Sequence, residues 1–129
     1  MTPELAALAA IAVIQIIMIG VAQQSLTADI GRDGNMGPRD GTLPLSPRTQ
    51  RLRRAVANHV ENIGLFIIAV VVVTLSGQAT TFTASCAWVF VAARALYLPA
   101  YLYGWTPWRS VIWAVGMAAT LLMLAAAFI

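Results

Sequence analysis

Three groups of side chains in this 129-residue chain are of types and spacings that could do chemistry. Arg54, Asn58 and Glu61 fall at i, i+4 and i+7, so on a helix they share one face. Arg94, Tyr97 and Tyr101 fall at i, i+3 and i+7 and share another. Arg109 and Ser110 follow Thr106-Pro107 at the start of the last apolar stretch. Guanidinium, amide and phenol groups donate hydrogen bonds to an anionic ligand, and a carboxylate accepts from an ammonium. A guanidinium in the first turn of a helix meets free backbone N–H groups and a dipole that favours negative charge. That setting suits a thiolate, whose pKa falls beside positive charge. The plainer alternatives are that the stripes only tie two helices together and that Arg109 is an ordinary interfacial arginine.

The elements that must position these groups are membrane helices. Hydrophobic residues make up 60% of the chain and charged residues 10%, with a mean hydropathy of +0.79. A soluble domain carries about a quarter charged residues, so most of this surface is not meant for water. Residues 3–27, 47–76, 79–103 and 107–129 read as four transmembrane helices of one domain, with a polar loop over about 28–46. Thr2-Pro3-Glu4 reads as a cap, a first-turn proline and an acid that suits the helix start, and Ser46-Pro47 repeats the pattern. Thr106-Pro107 is expected to open the fourth helix by the same logic. A basic region before the first apolar stretch is missing, which argues against a secretory signal. Helix two is polar from Arg48 to Asn62 and apolar only from Ile63 to Leu75, which is too short to span. Part of the polar half must therefore enter the membrane, facing protein or a wet cavity.

All eight basic residues are arginine. Six of them, Arg32, Arg39, Arg48, Arg51, Arg53 and Arg54, lie in or beside the first loop, and Arg109 follows the third. The positive-inside rule then puts loops one and three in the cytoplasm and both termini on the other side, as expected for a bacterial inner membrane. The basic charge is better explained by this topology than by nucleic acid. Helices two and three form a hairpin centred between Gly77 and Gln78. Glu61 and Arg94 each lie about 16 residues from that centre, or roughly 25 Å in depth. The arithmetic pairs Glu61 with Arg94, Asn58 with Tyr97 and Arg54 with Tyr101, and a paired Glu61 and Arg94 avoid the cost of isolated buried charges.

The remaining polar residues carry less. His59 points away from Glu61 and has no Cys or His neighbours to make a metal site. Cys86 stands alone in an apolar stretch and reads as a small packing residue. The four tryptophans read partly as interfacial anchors. Phosphate loops, catalytic triads and metal motifs are absent.

The run Arg51-Leu52-Arg53-Arg54-Ala55-Val56-Ala57-Asn58-His59-Val60-Glu61-Asn62 resembles the Arg-Ala-x-x-Asn-x-x-Glu core of the MAPEG family, membrane-associated proteins in eicosanoid and glutathione metabolism. The resemblance continues through Ala93-Arg94-Ala95-Leu96-Tyr97-Leu98-Pro99-Ala100-Tyr101 and Arg109-Ser110. Gly37-Pro38-Arg39-Asp40 followed by Leu45-Ser46 looks typical of bacterial members. Together these cover nearly the whole chain.

The resemblance implies an all-α, four-helix protomer assembling as a homotrimer, with glutathione as cosubstrate bound between subunits. Arg54, Asn58, Glu61, Arg94, Tyr97 and Tyr101 would hold the tripeptide, Arg109 would stabilise its thiolate, and Ser110 would assist. Lipophilic electrophiles would arrive from the bilayer, making the chain a transferase or peroxidase. The chain departs from the family's eukaryotic enzymes in three places: Gln23, Gln24 and Ser25 replace basic residues, Ala57 replaces a second arginine of one branch, and loop three is shorter and lacks that branch's extra basic residues. A non-catalytic protein that keeps the scaffold is the alternative. Small four-helix exporters use a membrane carboxylate in helix one, where this chain has only Glu4.

Overall fold

A computed structural model describes residues 1–129. Four helices follow in chain order: α1 (Pro3–Met36), α2 (Pro47–Leu75), α3 (Thr81–Leu102) and α4 (Trp108–Ala126). All four are long and apolar enough to cross a membrane. The starts of α1, α2 and α3 are set by local cap chemistry. The Leu5 N–H donates to Thr2 Oγ1 at 3.2 Å, and the Thr49 N–H donates to Ser46 Oγ at 3.3 Å. Thr80 and Thr83 form a reciprocal capping box at the start of α3.

Gly77, with φ of 72°, turns the chain between α2 and α3 in a conformation that costs other residues a Cβ clash. The Gln78 N–H closes this turn on the Val73 carbonyl at 3.1 Å. At the other end of the hairpin Gly104, with φ of 66°, stops α3, and the Trp105 N–H returns to the Ala100 carbonyl at 2.9 Å.

Two boundaries differ from the sequence reading. Helix one continues to Met36, through nearly half of the segment expected to be loop. Gly31, with φ of 73°, breaks its direction without ending it. Asn35 Nδ2 bridges the break by donating to Thr27 Oγ1 at 2.7 Å and Gln23 Oε1 at 3.3 Å. At about 1.5 Å per residue, such a helix outruns a hydrocarbon core of about 30 Å, so its last turns project beyond it. There Asp29 Oδ2 accepts from the Ser46 N–H at 2.8 Å and from its hydroxyl at 2.9 Å, and Ser25 bonds Thr49 at 2.6 Å. These bonds tie the far end of α1 to the start of α2.

The second difference is at α4. Thr106 does not cap it; Pro107 takes the cap position with no side-chain bond, and the Thr106 hydroxyl turns back to the Gly104 carbonyl at 3.4 Å. The first-turn N–H groups of Arg109 and Ser110 are taken by the carbonyls of Trp105, at 2.8 Å, and Pro107, at 3.0 Å. They are therefore not free to meet an anion, contrary to the expectation from sequence.

The core lies in the half of the bundle near the Gly77 turn. Phe66 of α2 stacks on Phe90 of α3 with ring centroids 4.1 Å apart. Ala7 and Ile11 of α1 and Ala119 and Met123 of α4 close around them. Cys86 is buried here, consistent with a packing role. Glu4 is also buried, and the Thr83 hydroxyl donates to its Oε1, joining the starts of α1 and α3 across 79 positions of sequence.

Candidate functional site

At the opposite end, where the α1–α2 and α3–α4 connections lie, three helices enclose a polar cleft of about 430 Å³. The α2 wall supplies Arg54, Ala57, Asn58 and Glu61; α3 supplies Tyr97 and Tyr101; α4 supplies Arg109, Ser110 and Trp113. Seven of the eight residues singled out from sequence thus line one recess. The eighth, Arg94, lies behind the wall, where it contacts Asn58 and Tyr97.

Tyr101 is the centre of the cation arrangement. Arg54 Nε donates to its phenol oxygen at 3.0 Å, as the hairpin arithmetic predicts. The Arg109 guanidinium lies 4.7 Å from the centre of the same ring, and the Arg54 guanidinium 6.0 Å. Two positive groups from different helices are held around one electron-rich ring, which attracts both and offsets part of their mutual repulsion.

The expected pair of Glu61 with Arg94 does not form. Arg94, only 3% exposed, donates from Nη2 to Asn58 Oδ1 at 3.1 Å, and its guanidinium lies 4.3 Å from the centre of the Tyr97 ring. Asn58 therefore serves Arg94 instead of Tyr97; Asn62 Nδ2 also donates to Asn58, to its carbonyl at 2.7 Å and to Oδ1 at 3.3 Å. The reason is rotation combined with reach. Glu61 is turned roughly 60° from Asn58 around α2, away from the packed face that carries Ala55, His59 and Phe66. It ends exposed on the outer side of the helix. The long Arg94 side chain extends one turn toward the polar end of the bundle, as long cationic side chains do in membranes.

His59 is fully buried on the packed face, with neither ring nitrogen hydrogen-bonded, and takes no part in the cleft. No group of His, Cys, Asp and Glu side chains is placed to hold a metal.

Trp113 was not singled out as a site residue from sequence. Its indole Nε1 donates to Asn62 Oδ1 at 3.0 Å, which fixes the ring at the rim of the cleft and joins α4 to α2. The signal for it was its spacing: Trp113 lies four residues after Arg109, one turn along the same face.

The cleft can therefore present donors from Arg54, Arg109 and the phenols to an anion, and a free carboxylate, Glu61, to an ammonium. Its volume is within the usual range for small-molecule sites. No curated protein and no solved structure matches the chain. The sequence profile of the MAPEG family matches residues 4–129, a span that contains all four helices and every residue of the cleft. The chain is an integral membrane protein belonging to the MAPEG family, a glutathione-related family.

Proposed function

We propose that this protein is a glutathione-dependent transferase or peroxidase that acts on lipophilic electrophiles reaching it through the bilayer. The observation that carries this reading is the gathering of Arg54, Asn58, Glu61, Tyr97, Tyr101, Arg109 and Ser110 around one cleft. Glutathione has two carboxylates, one ammonium and one thiol, and this donor set matches those charges. Arg54 and the phenols hold carboxylate and peptide groups, and Glu61 holds the ammonium. Arg94 positions Asn58 from behind. Arg109 lowers the thiol pKa by its positive charge, with the Ser110 hydroxyl beside it. The thiol proton passes to water, and the sulfur then forms its bond to the electrophile as the leaving group departs.

The assembly is a homotrimer in this account. An exposed carboxylate on a membrane-spanning helix is costly against lipid, and a neighbouring subunit packed on the outer side of α2 covers Glu61 and closes the cleft. The arginine-rich connections face the cytoplasm and both termini the other side. Single cysteines introduced at Asp33 and Gln78 in a Cys86→Ala background should then react with impermeant thiol reagents from opposite sides of the membrane. Labelling from one side only would overturn the topology.

The activity is tested by offering purified protein glutathione together with an aryl halide or an organic hydroperoxide. Conjugation or peroxide reduction should exceed the uncatalysed rate, and Arg109→Ala should remove most of that excess. A folded protein with neither activity would contradict the proposal.

A further inference from the structure

The polar cleft does not end at Arg54. A second recess, of about 390 Å³, is lined by Leu45, Gln50, Arg53, Arg54 and Ala57, and so shares Arg54 and Ala57 with the first. A third, of about 250 Å³ between α1 and α2, is lined by Ile19, Ala22, Gln23, Arg53, Val56 and Ala57. Ala57 is common to all three, and Arg53 to the last two. The three recesses form one trough over the outer side of α2, and the passage between them runs across a residue whose side chain is a single methyl group.

The cations along this trough differ in how far they are already engaged. Arg54 Nε is held by Tyr101. Arg53 is exposed on the trough and carries no such bond. Gln50 beside it uses one amide N–H on the Leu45 carbonyl at 3.0 Å and keeps the other. A guanidinium fork with a neighbouring amide donor is a carboxylate-binding set. It is continuous with a cleft that already holds one anion-binding group at Arg54 and another at Arg109.

We infer that Arg53, assisted by Gln50, forms a second carboxylate subsite that grips one end of the ligand in the main cleft. The inference rests on the reading of that ligand as glutathione, whose two carboxylates lie at opposite ends of the tripeptide. Arg54 and Arg53, adjacent in sequence, then serve different parts of the ligand: Arg54 faces the Tyr101 side and Arg53 the far side of Ala57. Ala57 is a specificity-determining position because a larger side chain there closes the passage.

The test is a cycle between protein and ligand variants, read by calorimetry. Three ligands are compared: glutathione, its glycyl ethyl ester, and 4-aminobutyryl-cysteinyl-glycine, which lacks the γ-glutamyl carboxylate but keeps the ammonium. Arg53→Ala should weaken glutathione binding about tenfold, as expected for one lost hydrogen bond to a charged group. It should also weaken one of the two analogues by a similar factor. Toward the other analogue, which lacks the carboxylate that Arg53 holds, it should have no effect. Ala57→Leu should weaken glutathione and leave that same analogue less affected. Equal losses on all three ligands, or none on glutathione, would overturn the inference while leaving the proposed function standing. Absence of saturable glutathione binding by the unmodified protein would instead defeat the proposed function.

Discussion

Asn58→Ala should destabilise the protein by about 2–3 kcal/mol, because it strips a buried guanidinium of an acceptor it cannot replace. Arg94 is 3% exposed, and its Nε is already without a partner, so the group has no spare hydrogen bonds to lose. Removing the charge as well, in Asn58→Ala with Arg94→Met, should recover much of the loss, since the cost lies in the stranded donor more than in the missing bond. Glu61→Gln should act independently of Arg94, because the carboxylate is turned away from that guanidinium, which bonds Asn58 instead. Its effect should add to that of Arg94→Gln. Unfolding titrations in mixed micelles measure all of these. Strong coupling of Glu61 to Arg94, with none between Asn58 and Arg94, would show that the polar face of α2 is rotated from the position described.

Arg109→Ala should have the largest effect on function and the smallest on binding. In the proposed mechanism the guanidinium acts on the sulfur, so without it the bound thiol should ionise near the free value of about 8.5. The affinity for glutathione should change little. Arg54→Ala should do the reverse, weakening binding by about 1.5–3 kcal/mol for a lost charged hydrogen bond while leaving the thiol pKa low. The split follows from the structure, because the two arginines come from α2 and α4 and meet only at the Tyr101 ring. Spectroscopic titration of the thiolate, alongside calorimetry, separates the two effects. If both variants moved affinity and pKa together, the division of labour between the helices would be wrong.

What could be read from the sequence was what local chemistry decides. The caps at Thr2 and Ser46 follow from a hydroxyl placed before a first-turn proline, and both are formed. Arg54 and Tyr101 were matched by counting from the Gly77 turn, and their side chains do meet. Counting gives depth alone, however, and the partner of Arg94 depends also on how far α2 is rotated. That rotation is the one that buries Ala55, His59 and Phe66 and stacks Phe66 on Phe90, and depth alone does not give it.

The cap expected at Thr106 failed for a related reason: carbonyls of the preceding turn had already taken the N–H groups it was meant to serve. The extension of α1 was hidden because glycine usually ends a helix, whereas here Asn35 bonds back across Gly31. Glu4 reads from sequence as an acid that suits a helix start; its burial against Thr83 follows only from two distant helix starts lying side by side. Trp113 reads from sequence as an anchor for the membrane interface, whereas in the structure its indole N–H donates to Asn62 at the cleft.

Titrating the purified protein with glutathione at neutral pH, while recording the ultraviolet difference absorbance of the thiolate, shows whether the cleft binds glutathione as a thiolate. The expected result is a saturable signal that disappears on acidification and is missing from Arg109→Ala. A well-folded protein that shows no saturable glutathione binding would contradict it.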